Sequence, residues 1–213
     1  MLGVLIPRTN RKVGDIQLHK NYVYTRTLGL DVEELKQSTD LMSRFITESC
    51  EIADHNDCRS SVTTKLYSQY NLLMYPVPGI HKLYNAIRET FHECNGVDKT
   101  EFFIQCWLNY YASGEFIDWH SHWQPQYSSW HGFVCVDVEP NSKTTYKVPP
   151  EMDELDIPSK NGLMVLSRSN GDVHRSSEWD QEYPRITIAF DIVPAGILYR
   201  ENRYTHINHW MPI

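Results

Sequence analysis

His120 and His122 stand one residue apart at the end of the stretch NYYASGEFIDWHSH, residues Asn109 to His122. On a strand, residues i and i+2 point to the same face, so two imidazoles could reach one ion. His174 is the best third partner, because it follows a turn (Ser169-Asn170-Gly171) after the apolar run GLMVLS. Three nitrogen ligands leave coordination positions open, as a catalytic metal requires. A bare His-x-His is weak evidence, and three separate structural histidines would explain it equally. Arg185 opens a second apolar run, RITIAFDIVP, with Thr187 two residues on and so on the same face. An arginine pointing into a barrel is costly unless paired with an anion, and its fork suits a carboxylate. Otherwise it faces solvent or bridges to Glu182. Trp119, Trp123, Trp130 and Trp179 flank the candidate ligands. They would suit a dry cleft wall, or serve as ordinary core and rim aromatics.

The elements that must position these residues come in two grammars. NYVYTRTL (Asn21–Leu28) suits a strand. A helix is predicted from Asp31 to about Asp54, with Asp31 and Glu34 spaced as a capping box. Leu35, Leu41, Met42, Phe45 and Ile46 fall near its apolar stripe. A second helix follows Pro78, buries Ile80, Leu83, Tyr84, Ile87 and Phe91, and stops near Asn95-Gly96. His81 and His92 lie on it as surface residues. From Thr100 onward the pattern turns to strands: Glu101–Tyr111, His131–Pro140, Thr144–Pro149, Gly162–Ser167 and Arg185–Pro194. Many short strands after two helices predict a mainly β jelly roll with helices packed outside. No repeat or linker interrupts the chain. One domain over 1–213 is expected: an N-terminal strand and supporting helices to 99, a jelly-roll core over 100–195, and a tail over 196–213.

Composition narrows the partners. The 213 residues can bury a sizeable core, and the formal net charge of −7 argues against a nucleic-acid coat. The five cysteines are widely spaced with no C-x-x-C pair, which reads as reduced thiols in a cytoplasmic protein. No run approaches a membrane span, and the apolar start MLGVLIPRTNRK has its basic residues after the apolar ones, the reverse of a secretory signal. His131 is expected at the surface or behind the ligands, and His206, His209 and Trp210 at the surface.

Taken together, Phe102–Val193 resembles the iron(II)/2-oxoglutarate-dependent dioxygenases, and within them the prolyl-4-hydroxylase-like branch with its short bacterial and phage members. The likeness rests on Tyr111, Gly114 and His120-Ser121-His122 in order, then on GLMVLS, His174 and the Arg185-Ile186-Thr187 strand, with Arg185 eleven positions after His174. It implies a double-stranded β-helix, or cupin-like jelly roll, binding iron(II) through His120, His122 and His174. It also implies 2-oxoglutarate held by Arg185, Thr187 and Tyr111, with ascorbate as reductant. The implied reaction hydroxylates a C–H bond of a peptide or small molecule, releasing succinate and CO2. For a phage member the compartment would be the host cytoplasm. One position departs from the pattern: His122 stands where the family has Asp or Glu. A true three-histidine site, a carboxylate supplied by Asp118, or a site that has lost oxidation all remain open. So do a cupin-like binding module without catalysis and a three-histidine dioxygenase that does not use 2-oxoglutarate.

Overall fold

The computed structural model describes residues 15–50, 61–96, 99–200 and 209–213. Two antiparallel sheets face each other. The larger has strands β1 (Gln17–His19), β2 (Val23–Thr27), β7 (Leu163–Arg168), β4 (Trp130–Asp137), β9 (Arg185–Pro194), β3 (Phe102–Tyr111) and β10 (Met211–Pro212), in that spatial order. The smaller runs β6 (Asp153–Pro158), β5 (Lys143–Val148), β8 (Val173–Ser176). Helices α1 (Val32–Ser49), α2 (Val62–Lys65) and α3 (Ile80–Asn95) precede the core strands, and α4 (Ala195–Arg200) follows β9. This is the jelly roll with flanking helices that the strand pattern predicts. Among the described residues no helix is long and apolar enough to cross a membrane.

Strand β9 shows how the sequence divides its two faces. It lies between β3 and β4, so nearly every residue is buried and the hydropathy alternation is muted. Ile186, Ile188, Phe190 and Ile192 join the core against the helices. Arg185, Thr187, Ala189 and Asp191 alternate with them and so face the smaller sheet. Beneath the larger sheet, Leu83, Ile87 and Phe91 of α3 are fully buried, and the Phe91 ring meets Phe102 edge-on at 5.0 Å and Trp130 at 5.8 Å. Each such side chain contributes about 1.5–3 kcal/mol on burial. That packing fixes the larger sheet as the rigid floor of the site.

Helix α1 starts where its cap predicts. Asp31 accepts a hydrogen bond from the Glu34 amide at 3.0 Å, while the Glu34 carboxylate turns to Lys82 instead of closing a capping box. The helix ends at Ser49, short of the expected Asp54, which lies outside the described residues. Leu35, Met42 and Ile46 are buried as expected, but Leu41 and Phe45 are exposed at 60% and 47%. The buried stripe instead takes in Ser38, Thr39 and Ser43, small residues that let the helix sit close. Helix α3 follows Pro78 as expected but starts at Ile80; its cap is Gly79, with φ of 78° and Leu35 Cδ2 only 2.9 Å from where a Cβ would stand. Tyr84 is only partly buried, and its hydroxyl donates to the Pro212 carbonyl. Strands β1, β6, β8 and β10 and helices α2 and α4 carry too little periodicity to read from sequence. Trp210 is a further correction: it is 8% exposed and packs against Trp123, because the chain returns to the larger sheet through β10.

Gly132 in β4 is required by a close approach. A Cβ there would overlap the Val165 carbonyl oxygen and meet Phe190 Cζ at 2.6 Å. Gly132→Ala is expected to destabilise the fold by about 1–3 kcal/mol or more through overpacking. Urea unfolding checks this, the midpoint falling with little change in slope.

Candidate metal and cosubstrate site

His120, His122 and His174 come together: one ligand atom from each lies within 4.8 Å of the other two. Their rings are 4.3 to 5.4 Å apart between centroids. His174 sits on β8. The segment that carries His120 is not a regular strand, yet it runs beside β8 as one would. Gly114 N donates to Trp179 O, Trp179 N to Glu115 O, and Ser176 N to Ile117 O. His120 and His174 then exchange both backbone bonds, at 3.0 and 2.9 Å. Segment 114–120 is therefore an irregular fourth strand of the smaller sheet, and it delivers two imidazoles to the edge of β8.

The ring nitrogens are pre-assigned by their partners. His120 Nδ1 lies 2.7 Å from the Asp118 carbonyl oxygen, which can only accept, so Nδ1 carries the proton and Nε2 is free. His122 Nδ1 lies 2.6 Å from Asp191 Oδ1, which likewise leaves Nε2 for a ligand role. Asp191 is fixed in turn by Trp123 Nε1, which donates to Oδ2 at 2.9 Å. Burial and the neighbouring His122 lower His120 to about 4, and burial with the surrounding imidazoles holds His174 well below the ordinary histidine range. Both rings are therefore neutral at pH 7, with lone pairs available to a cation. His122 differs: burial alone would lower it, but Asp191 outweighs burial and raises it.

Asp118, the alternative carboxylate, is exposed, and its side chain accepts from the Trp119 amide at 2.7 Å. It joins neither group of ligand atoms, so Asp118 is dropped as the source of a carboxylate. The carboxylate that does reach the cluster is Asp191, standing behind His122. Asp191→Asn is expected to weaken cation binding about 10–100-fold by loosening that imidazole. Isothermal titration with Mn2+ measures it.

Arg185 is 3% exposed and faces the same cleft, with Thr187 beside it on β9. Its Nη1 donates to the Ser177 carbonyl at 3.0 Å, while Nε is buried with no hydrogen-bond partner. The guanidinium lies over the Tyr111 ring, 4.4 Å from its centroid, so Tyr111 forms a platform as well as offering a hydroxyl. Burial lowers Arg185, and Tyr111 opposes that fall. Thr187 Oγ1 accepts from Asn109 Nδ2 at 3.2 Å, which aims the hydroxyl. Glu182 is exposed, and Arg185 is not turned toward it. The cleft holds only about 60 Å³ of free interior space, so it is narrow at the histidine cluster.

The four flanking tryptophans do not form its wall. Trp130 is in the helix-side core, Trp123 packs on Trp210, Trp179 lies beneath Tyr183, and Trp119 sits under Lys147 and Arg175. Trp107 lines the cleft instead, one pleat before Asn109 on β3. His131 takes the second of its two expected places, behind the ligands. It is 2% exposed and stacks parallel to His122 and His174 at 4.5 and 4.9 Å. Asp191 could have been suspected from sequence as the one acid inside an otherwise apolar strand. His131 and Asp172 gave no comparable local signal. Among the described cysteines, Cys50, Cys94, Cys106 and Cys135 are free thiols; burial raises Cys94 to about 12 and Cys135 to about 11, and pushes Cys106 up as well.

No family model matches the sequence, and no curated protein matches it. Solved structures do. A prolyl hydroxylase from Trichoplax adhaerens, in complex with a hypoxia-inducible-factor peptide fragment, superposes with a TM-score of 0.63 at 13% identity, covering 86% of this chain and 88% of that one. A Pseudomonas putida prolyl-4-hydroxylase gives 0.56 at 11% identity, covering 81% and 85%. A 2OG-Fe(II) oxygenase-family oxidoreductase from Burkholderia pseudomallei gives 0.51 at 10% identity, covering 82% and 85%. The polypeptide thus shares its fold with solved 2OG-Fe(II) oxygenases, prolyl hydroxylases among them.

Proposed function

We propose that the chain is an iron(II)- and 2-oxoglutarate-dependent oxygenase that hydroxylates a C–H bond of a peptide or small molecule. The observation that carries this is the pairing, in one cleft of this fold, of three convergent imidazoles with a buried arginine whose Nε has no partner. A buried guanidinium left partly unsatisfied is costly, and a carboxylate in the cleft would relieve that cost. The donor set fits iron(II), since imidazole suits that ion and two of the rings are held neutral.

His120, His122 and His174 would hold the metal. Arg185 and Thr187 would hold the far carboxylate of 2-oxoglutarate, with Tyr111 beneath the guanidinium. When bound, iron(II) with 2-oxoglutarate supplies oxygen activation and oxidation of the substrate C–H bond. Asp191 keeps the His122 proton on Nδ1, so Nε2 stays available. It also places a negative charge one imidazole away from the cation. Replacing a ligand carboxylate by His122 leaves the complex one unit more positive, and Asp191 offsets that at second hand. Trp107 and Phe133 add apolar surface to the cleft lining. Related folds act on both kinds of substrate: one neighbour holds a peptide fragment, and another is an epimerase of nogalamycin biosynthesis.

The test is succinate formation from 2-oxoglutarate with iron(II), ascorbate and oxygen, without added substrate. Slow uncoupled turnover is expected. Oxygen consumption without succinate would favour a three-histidine dioxygenase that does not use 2-oxoglutarate. Metal binding with neither would leave a binding module.

A further inference from the structure

Behind the cleft, between the two sheets, lies a second convergence of ligand atoms. His131, Asp172 and His174 each place one within 4.8 Å of the other two. All three residues are buried, at 2%, 2% and 7% exposure. His131 arrives from β4 and His174 from β8, while Asp172 sits in the turn before β8.

Three polar atoms in this pocket lack hydrogen bonds: His131 Nε2, Asp172 Oδ2 and His174 Nδ1. Buried polar atoms are almost always paired, so three orphans in one place need a common cause. His131 Nε2 and Asp172 Oδ2 are 3.1 Å apart, but their alignment does not make a hydrogen bond. The remaining atoms of these groups are already committed. His131 Nδ1 lies 3.0 Å from Ser169 Oγ, and Asp172 Oδ1 accepts from the Tyr22 hydroxyl at 3.3 Å. Tyr146, directly across from His174 on β5, stacks on that ring at 4.9 Å and closes the pocket.

We infer that His131 Nε2, Asp172 Oδ2 and His174 Nδ1 form an inner site for a divalent cation of the zinc type. Two imidazoles and one carboxylate are a donor set for borderline divalent metals. The carboxylate needs a positive partner at this depth, and one cation satisfies all three orphans together. Asp172 stands off the cleft that His131 and His174 line, so the ion's role is to tie β4 to β8 across the sheets. His174 belongs to both groups, but its neutral ring has one lone pair: Nδ1 serves the inner ion with the proton on Nε2, and both ions load together only when that proton is released to solvent and the imidazolate bridges them.

The variant His120→Ala/His122→Ala, which dismantles the outer group, is titrated with Zn2+ by equilibrium dialysis. It is expected to retain one equivalent, and adding Asp172→Asn is expected to weaken that binding by at least about 100-fold, beyond the loss of an outer partner alone. No retained zinc in the double variant overturns the inner site, as does zinc indifferent to Asp172→Asn. The wild-type protein gives an independent measure in case a variant misfolds. Zn2+ must shift the His131 Nε2 resonance in long-range 1H–15N spectra. A resonance unmoved at two equivalents means the orphans hold ordered water only. Failure of the outer site shows separately, as wild-type binding insensitive to His120→Ala.

Discussion

His174→Ala is expected to weaken divalent-cation binding at the cleft by at least about 100-fold, more than loss of an outer partner typically costs. The reason is its position. His120 and His122 share one short segment, and two neighbouring imidazoles alone cannot close a facial set. His174 comes from β8 and completes it. It is also the only residue common to the outer and inner groups of ligand atoms among those described, so one substitution should remove both. Anaerobic titration with Mn2+ reports the outer loss. His174→Gln, which keeps much of the side-chain volume against Tyr146, guards against collapse of the pocket. Wild-type affinity in a folded His174→Gln protein would exclude this residue as a ligand.

Arg185→Ala should raise the dissociation constant for 2-oxoglutarate about 30- to 4,000-fold, the equivalent of the roughly 2–5 kcal/mol lost when one partner of a buried charged pair is removed. The upper part of that range applies if the cosubstrate carboxylate is fully desolvated in the cleft. Arg185→Lys should recover little, because an ammonium cannot present the fork or lie flat on Tyr111. Quenching of tryptophan fluorescence offers the readout, since Trp107 lines the cleft and Trp179 is 5.9 Å from the guanidinium. Equal affinity in Arg185→Ala and wild type would remove the carboxylate role. Metal affinity should be nearly unchanged in this variant, which separates its failure from that of the histidine cluster.

The residues that sequence made legible are those whose partners recur at a fixed offset. His120 and His122 share a face at spacing two, and so do Arg185 and Thr187. His174 follows a turn at the end of an apolar strand. Fold class was legible for the same reason, because strand and helix periods are local. What stayed hidden depends on register between distant strands. Asp191 meets His122 only because β9 lies between β3 and β4. His131 meets His174 only because the two sheets face each other. Asp172 is two residues before His174, yet nothing local says its carboxylate turns inward. The tryptophans misled in the opposite direction. A large aromatic near a ligand in sequence can as easily cover the other face of its strand, as Trp130 does beside His131. Leu41 and Phe45 show the same weakness in α1, where a loose period admitted residues that the exposed side of the helix carries.

The backbone exchange between His120 and His174 has a consequence for how readily the cleft takes up an ion. Loops that bear binding residues are usually the most restless parts of a fold. Here the bearing segment is stitched to β8 at several points, so its imidazoles are already gathered before anything arrives. Little ordering entropy is left to lose on loading, and uptake should be fast, with the empty and filled proteins sharing one backbone. Amide exchange at His120 and His174 should then be slow in both forms.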